Sequence, residues 1–180
     1  MTTEYLLNEQ LDRVLAALMP ENELVCRVIL QTGLRIGDVL ALRTEGLGLH
    51  MMVLERKTGK RKRIYLTHEL LHKLRANAGK IYVFEGRNNP QTHKTRQAVY
   101  ADIRRAARAF RLPQVVGAHS MRKVYAVELM EKYGDIEKVR RALNHKYAST
   151  TMIYAMADKL LRAKQGRKRH KYAAHENCAN

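Results

Sequence analysis

Apolar residues recur every three or four positions along the first part of the chain, and they place the first elements. Asn8 and Glu9 open a helix whose stripe is Leu11, Val14, Leu15 and Leu18, with Pro20 after it. Asn22 can cap a second helix that carries Leu24, Val25, Val28 and Ile29 and stops at Gly33. "RIGDVLAL" reads as a short third helix. The period then shortens, and "LHMMVLERKTGKRKRIYL" becomes two β-like runs around a Thr58–Gly59 turn, a hairpin. Thr67 can cap the next helix, with Leu70, Leu71 and Leu74 inward and Gly79 at its end. "KIYVFEG" predicts a short strand, and "HKTRQAVYADIRRAARAF" a long helix with an arginine-rich face at Arg104, Arg105 and Arg108 that Leu112-Pro113 breaks. "HSMRKVYAVELMEKYG" is amphipathic and ends at Gly134, Asp135 caps "DIEKVRRAL", and a last helical piece holds Tyr154. No internal repeat appears. The expected fold is a mostly helical α+β domain over residues 1–160 with one small antiparallel sheet. Residues 161–180 form a basic C-terminal tail, expected to be mobile.

Charge narrows the choice of partner. The chain holds 34 basic and 17 acidic residues, a net +17. The excess is unevenly placed: residues 1–54 are net acidic, whereas residues 55–114 hold 16 basic and 4 acidic side chains. Such self-repulsion fits a polyanionic partner, duplex DNA first. Two Phe and no Trp argue against single-strand binding through stacked aromatics. No basic amphipathic helix with an aromatic face suggests a membrane surface. Cys26 and Cys178 lie far apart in unlike surroundings, which argues against a disulfide framework and a zinc site and for a reducing compartment. Without an apolar span or a leader-like start, the expected location is cytoplasmic and DNA-associated.

The chemistry-bearing residues cluster at helix starts and turns. They are Arg35 after "QTGL", Lys57 at the hairpin tip, His119 and Arg122 one helical turn apart, His145 after a helix end, and Tyr154. Two guanidiniums can hold the non-bridging oxygens of one phosphate and stabilise a pentavalent transition state. A phenol, with a free pKa of ~10, becomes a nucleophile when cations surround it and a histidine takes its proton. A lysine can protonate the departing 5′ oxygen. A covalent phosphotyrosine keeps the energy of the phosphodiester, so rejoining needs no ATP. No metal motif and no GxxxxGK[ST] loop is present, so no metal and no cofactor is expected.

At these residues the sequence resembles the tyrosine recombinase (phage integrase) family. The resemblance rests on "TGLRIGDVLAL", "KTGK", "HSMR" and "LNHKYASTTMIY", in that order, with nine residues from His145 to Tyr154, over residues about 5–158. It implies that Tyr154 is the nucleophile and that Arg35 and Arg122 clamp the scissile phosphate. Lys57 is then the general acid, with Lys60 as the alternative, His119 the acid/base, and His145 a phosphate ligand. Asp38, three residues after Arg35, matches an acidic position that orders the site. Asn144 stands where the family usually has Gly, which predicts a positive φ there. The family's N-terminal core-binding domain is not expected in this chain, whose first helix begins almost at Met1.

The basic run Lys60, Arg61, Lys62 and Arg63, and the helix face of Arg104, Arg105 and Arg108, are expected to touch DNA phosphates, which position the protein without reading sequence. The expected function is a site-specific DNA recombinase, or integrase, acting through a 3′-phosphotyrosyl intermediate as a homo-tetramer on double-stranded DNA. An accessory DNA-bending protein is a further possible partner. Two alternatives stand beside it: type IB topoisomerase-like strand relaxation, and a non-catalytic basic DNA-binding regulator with the same fold.

Overall fold

The structure is a computed structural model, and it describes residues 6, 8–113 and 115–144. The elements run α1 (Asn8–Ala16), α2 (Pro20–Thr32), α3 (Ile36–Leu40), β1 (His50–Leu54), β2 (Arg61–Tyr65), α4 (His68–Asn77), α5 (Arg96–Ala109), α6 (Ala118–Tyr133) and α7 (Ile136–Ala142). This is the expected helical domain with one small antiparallel sheet. No helix among the described residues is long and apolar enough to cross a membrane.

Helix α2 is the centre of the domain and packs chiefly on α6, with α3 and α4 against its sides and α1 bridging to α5. Its buried face is Val25, Cys26, Val28 and Ile29, and the surrounding core adds Leu34, Leu40, Leu74, Phe84, Ile103 and Met121, all without exposed surface. Each such side chain removed from water contributes roughly 1.5–3 kcal/mol. A smaller cluster of Ala126, Val139 and Leu143 fastens α7 to α6.

Helix α2 begins three residues earlier than a cap at Asn22 would place it. Pro20 occupies its first turn, where proline's fixed φ suits the helix and its missing N–H costs nothing. The side chain of Asn22 turns inward instead and donates to Asp102 Oδ2 on α5 at 2.7 Å. The same oxygen accepts from the Met19 N–H at 2.8 Å, so a carboxylate from a distant helix caps α2. Arg105 completes this junction, donating to Asp102 Oδ1 and to the Ala17 carbonyl.

The other caps follow the sequence. Thr67, Thr95 and Asp135 accept from the first-turn N–H groups of α4, α5 and α7, and Gly33 and Gly134 end α2 and α6 in the left-handed region. Gly79 is different: α4 stops at Asn77, and the backbone at Ala78 is extended. "KIYVFEG" forms no ladder strand. It makes single bridges, Arg43 to Tyr82 and Glu85 to His93. The carboxylate of Glu85 folds back over Gly79 to accept from the Lys80 N–H.

Candidate active site

The C-terminus of α2 is where the site begins. A helix end presents unpaired carbonyls and the negative end of the helix dipole. Here two cations from other elements take those carbonyls. Lys62 Nζ on β2 donates to Thr32 O at 2.6 Å, and the Arg122 guanidinium on α6 donates to Gly33 O. Arg122 also donates to Leu143 O at 2.6 Å, so it ties α2, α6 and the end of α7 together while only 3% exposed. Gly33 has φ 62°, and the ring of Tyr125, one turn along α6, lies directly against it. Leu34 and Arg35 leave from this hub, and Arg35 is the residue that starts α3.

The hairpin closes on the hub from the other side. The pairing Val53↔Lys62 and Met51↔Ile64 puts these four residues on the inward face of the sheet, leaving Leu54↔Arg61, Met52↔Arg63 and His50↔Tyr65 outward. The strand pleat therefore divides the basic run 60–63. Arg61 and Arg63 are exposed, whereas Lys62 lies inward with Nζ 5.5 Å from the Tyr125 ring centroid. Burial, together with Arg122 and Arg35 and against the opposing pull of Glu55 and Asp38, pushes the Lys62 ammonium down to about 8. The turn itself is held from within. Glu55 O accepts from the N–H groups of Thr58 and Gly59, Glu55 N–H donates to Lys60 O, and Gly59 takes φ 65°.

Two carboxylates lock this turn to α3. Asp38 Oδ1 accepts from the Arg56 N–H at 3.0 Å. Glu55 was not singled out by the sequence motifs. Its side chain has no exposed surface, and Oε2 accepts from Arg35 Nη1 at 2.9 Å and from Thr58 Oγ1 at 2.9 Å. Burial raises the Glu55 pKa. The Thr58 hydroxyl, the Asn144 amide and the Arg35 charge outweigh that burial and hold it below the ordinary carboxylate range. The signal available in the sequence was a lone acid at the edge of a run of six basic residues between 56 and 63.

His119 stands in the first turn of α6, exposed, and the same group of cations acts on it. Water lost from around the ring, then the charges of Arg122, Lys123, Arg35 and Lys57, hold its pKa below the ordinary imidazole range. The neutral ring, which can accept a proton, is therefore the form present near neutral pH. Lys57 and Lys60 are both exposed on the turn. On α5, Arg105 is committed to the Asp102–Ala17 junction, Arg104 donates to Tyr100 Oη at 3.1 Å, and Arg108 is exposed. Asn144 has φ 51°, as its place in the motif predicted. His145 and Tyr154 lie outside the described residues.

Residues far apart in sequence thus converge: Arg35, Lys57, His119 and Arg122 share one electrostatic neighbourhood around the α2 C-terminus. The model of the phage integrase family matches residues 4–160. The integrase of Escherichia phage P2 is 28% identical over 155 residues, covering 85% of this chain and 43% of that protein. The catalytic domain of bacteriophage HP1 integrase superposes with TM-score 0.66 at 20% identity, covering 87% of this chain and 89% of that one. The site-specific recombinase XerH, solved after cleavage of a palindromic difH substrate, superposes with TM-score 0.72 at 21% identity, over 92% of this chain and 53% of that one.

Proposed function

Since the chain belongs to the phage integrase family, we propose that it is the catalytic part of a site-specific DNA recombinase that cleaves and rejoins duplex DNA through a 3′-phosphotyrosyl intermediate. The observation that carries this is the convergence of Arg35, Arg122, Lys57 and His119 at the end of α2, in the neighbourhood a scissile phosphate would occupy.

Tyr154 attacks the phosphorus, so the Oη–P bond forms as the P–O5′ bond breaks. The phenolic proton passes to His119, whose depressed pKa leaves it neutral and able to accept. Lys57 gives its proton to the departing 5′ oxygen. Arg35 and Arg122, with His145, hold the non-bridging oxygens, where charge accumulates in the transition state. Attack by a free 5′ hydroxyl on the phosphotyrosine reverses each transfer and releases Tyr154. Neither a metal ion nor ATP enters the sequence of steps. Exchange between two duplexes requires paired cleavages, for which the chain acts as a homo-tetramer on DNA, aided where needed by a DNA-bending protein. Arg61, Arg63, Lys60 and Arg108, all exposed, are the side chains best placed to meet DNA phosphates.

Alanine is the wrong probe of the clamp. Removing Arg122 strands the Gly33 and Leu143 carbonyls, at about 1–3 kcal/mol for each buried acceptor, and removing Arg35 leaves Glu55 buried without its cation, at about 3–5 kcal/mol for a broken buried pair. Arg35→Lys and Arg122→Lys keep the charge and lose the planar fork. Each should retain the fold and DNA affinity and lose at least ~100-fold in cleavage of nicked duplex, with the wild type unaffected by EDTA. Wild-type cleavage in either variant, or loss of activity in EDTA, would refute the proposal.

A further inference from the structure

We propose that Glu55 is a positioning residue of the cleavage reaction, setting the Arg35 guanidinium and the lysine-bearing turn in one rigid frame. It can have this role only if Arg35 is a phosphate clamp, as proposed above.

Glu55 is the one acidic side chain among the described residues with no exposed surface; Asp38 and Asp102 follow at 4% and 8%. Burying a carboxylate costs several kcal/mol, and an apolar side chain at the end of a strand would commonly serve stability as well or better. What the carboxylate supplies is geometry. One oxygen, Oε2, receives both Arg35 Nη1 and Thr58 Oγ1, while the main chain of the same residue organises the turn through Thr58, Gly59 and Lys60. A shift of the turn that carries Lys57 therefore pulls on Arg35, and a rotation of Arg35 pulls on the turn. Lys57 follows Glu55 by two residues, and its exposed side chain has no such anchor among the described residues. A third element joins at Asn144, the left-handed residue just before His145. Its amide helps hold the Glu55 carboxylate ionised. Yet Asn144 Nδ2 and Glu55 Oε1 both lie buried without a hydrogen-bond partner at bonding geometry. A buried donor and a buried acceptor left open beside one another are stabilised by any small closure that joins them. Glu55 would then link the first arginine, the lysine turn and the segment leading to His145.

The test uses the full chain, short nicked duplexes of randomised sequence, and two linkages at the nick-proximal position: phosphodiester and methylphosphonate. A methylphosphonate has one fewer non-bridging charge, so a defect in arginine clamping weighs less on it, whereas a general loosening of the fold weighs equally on both. Glu55→Gln keeps the size of the side chain and removes its charge. Its circular dichroism and DNA affinity should match the wild type, and its single-turnover cleavage of phosphodiester at saturating DNA should fall between about 10- and 100-fold, the range expected for a clamp displaced by about an ångström. On methylphosphonate the loss should shrink, in parallel with that of Arg35→Lys. Thr58→Val, which removes one bond to Oε2 from a partly exposed position, should show the same pattern at smaller amplitude, and it serves as the variant if Glu55→Gln fails to fold. Wild-type cleavage by the folded variant, or an equal loss on both linkages, overturns the role given to Glu55. A wild-type chain that forms no adduct on either linkage overturns instead the cleavage activity, and with it this role.

Discussion

Gly33 is the point at which backbone conformation, packing and the arginine clamp depend on one another, and Gly33→Ala measures that dependence. The residue has φ 62°, a left-handed conformation that costs an L-residue with a Cβ roughly 1–2 kcal/mol. A Cβ built there would overlap Cδ1 and Cε1 of the Tyr125 ring and stand 3.1 Å from Cζ. The ring cannot withdraw freely, because it packs on the Ala126, Val139 and Leu143 cluster and has the Lys62 ammonium 5.5 Å from its centroid. Overpacking of this kind adds about 1–3 kcal/mol. The expected total is about 2–5 kcal/mol, read as the change in unfolding free energy in urea at constant m-value. The two contributions separate in a double-mutant cycle. In a Tyr125→Ala background the clash is gone and the conformational cost remains, so Gly33→Ala should then cost only about 1–2 kcal/mol. Because the Gly33 carbonyl accepts from Arg122, the single variant should also lose cleavage activity beyond its loss of folded protein. An equal cost in both backgrounds would refute the close approach of Tyr125, and a cost near zero would refute the left-handed conformation as well.

The inward lysine gives a pH signature. Lys62 titrates at about 8 in the folded chain, against an ordinary value of 10.5. The unfolded chain therefore binds this proton more tightly, so the cost of the inward ammonium is full and constant below about pH 8, and the folded state gains stability as pH rises from about 8 towards 10.5. Relative to Lys62→Met, the wild type should gain about 2–3 kcal/mol of unfolding free energy between pH 7 and pH 10, and a difference that stays flat would place the ammonium in water. Cys26 supplies a probe of opening: burial, with Asp102 and Glu23, pushes its thiol up to about 12. In a Cys178→Ser chain, an aromatic disulfide reagent should label Cys26 only at the rate of unfolding, and prompt labelling under native conditions would contradict the packed face of α2.

Periodicity and punctuation made most of the fold legible. Gly33, Gly134, Thr67 and Asp135 act in the structure as their residue types suggest, because a cap is a local interaction between a side chain and the nearest backbone. The start of α2 was not legible in this way. Asn22 is a good cap by type, yet a carboxylate eighty residues away claimed its side chain, and Pro20 could open the helix without it. The strand read in "KIYVFEG" is likewise not a ladder strand: its Glu85 side chain folds back over Gly79, just before the segment, to accept from the Lys80 N–H. At the site, the fold brings Arg35, Lys57, His119 and Arg122, far apart in sequence, into one electrostatic neighbourhood. The run Arg61-Lys62-Arg63 looked uniform as composition, and only the register of the hairpin separates the inward lysine from its outward neighbours. Glu55 was hidden because its role lies in what it touches, and a motif of reacting residues does not include the group that aims them.

The most direct measurement is the identity of the covalent bond. Wild type and Tyr154→Phe are incubated with nicked duplexes in EDTA, denatured, digested with protease and nuclease, and the adduct peptide is sequenced by mass spectrometry. A nucleotide joined through its 3′ phosphate to Tyr154, present in the wild type and absent from Tyr154→Phe, is the expected result. An adduct on any other residue, or one that persists in Tyr154→Phe, would contradict the proposed chemistry, as would cleavage of the duplex with no adduct at all.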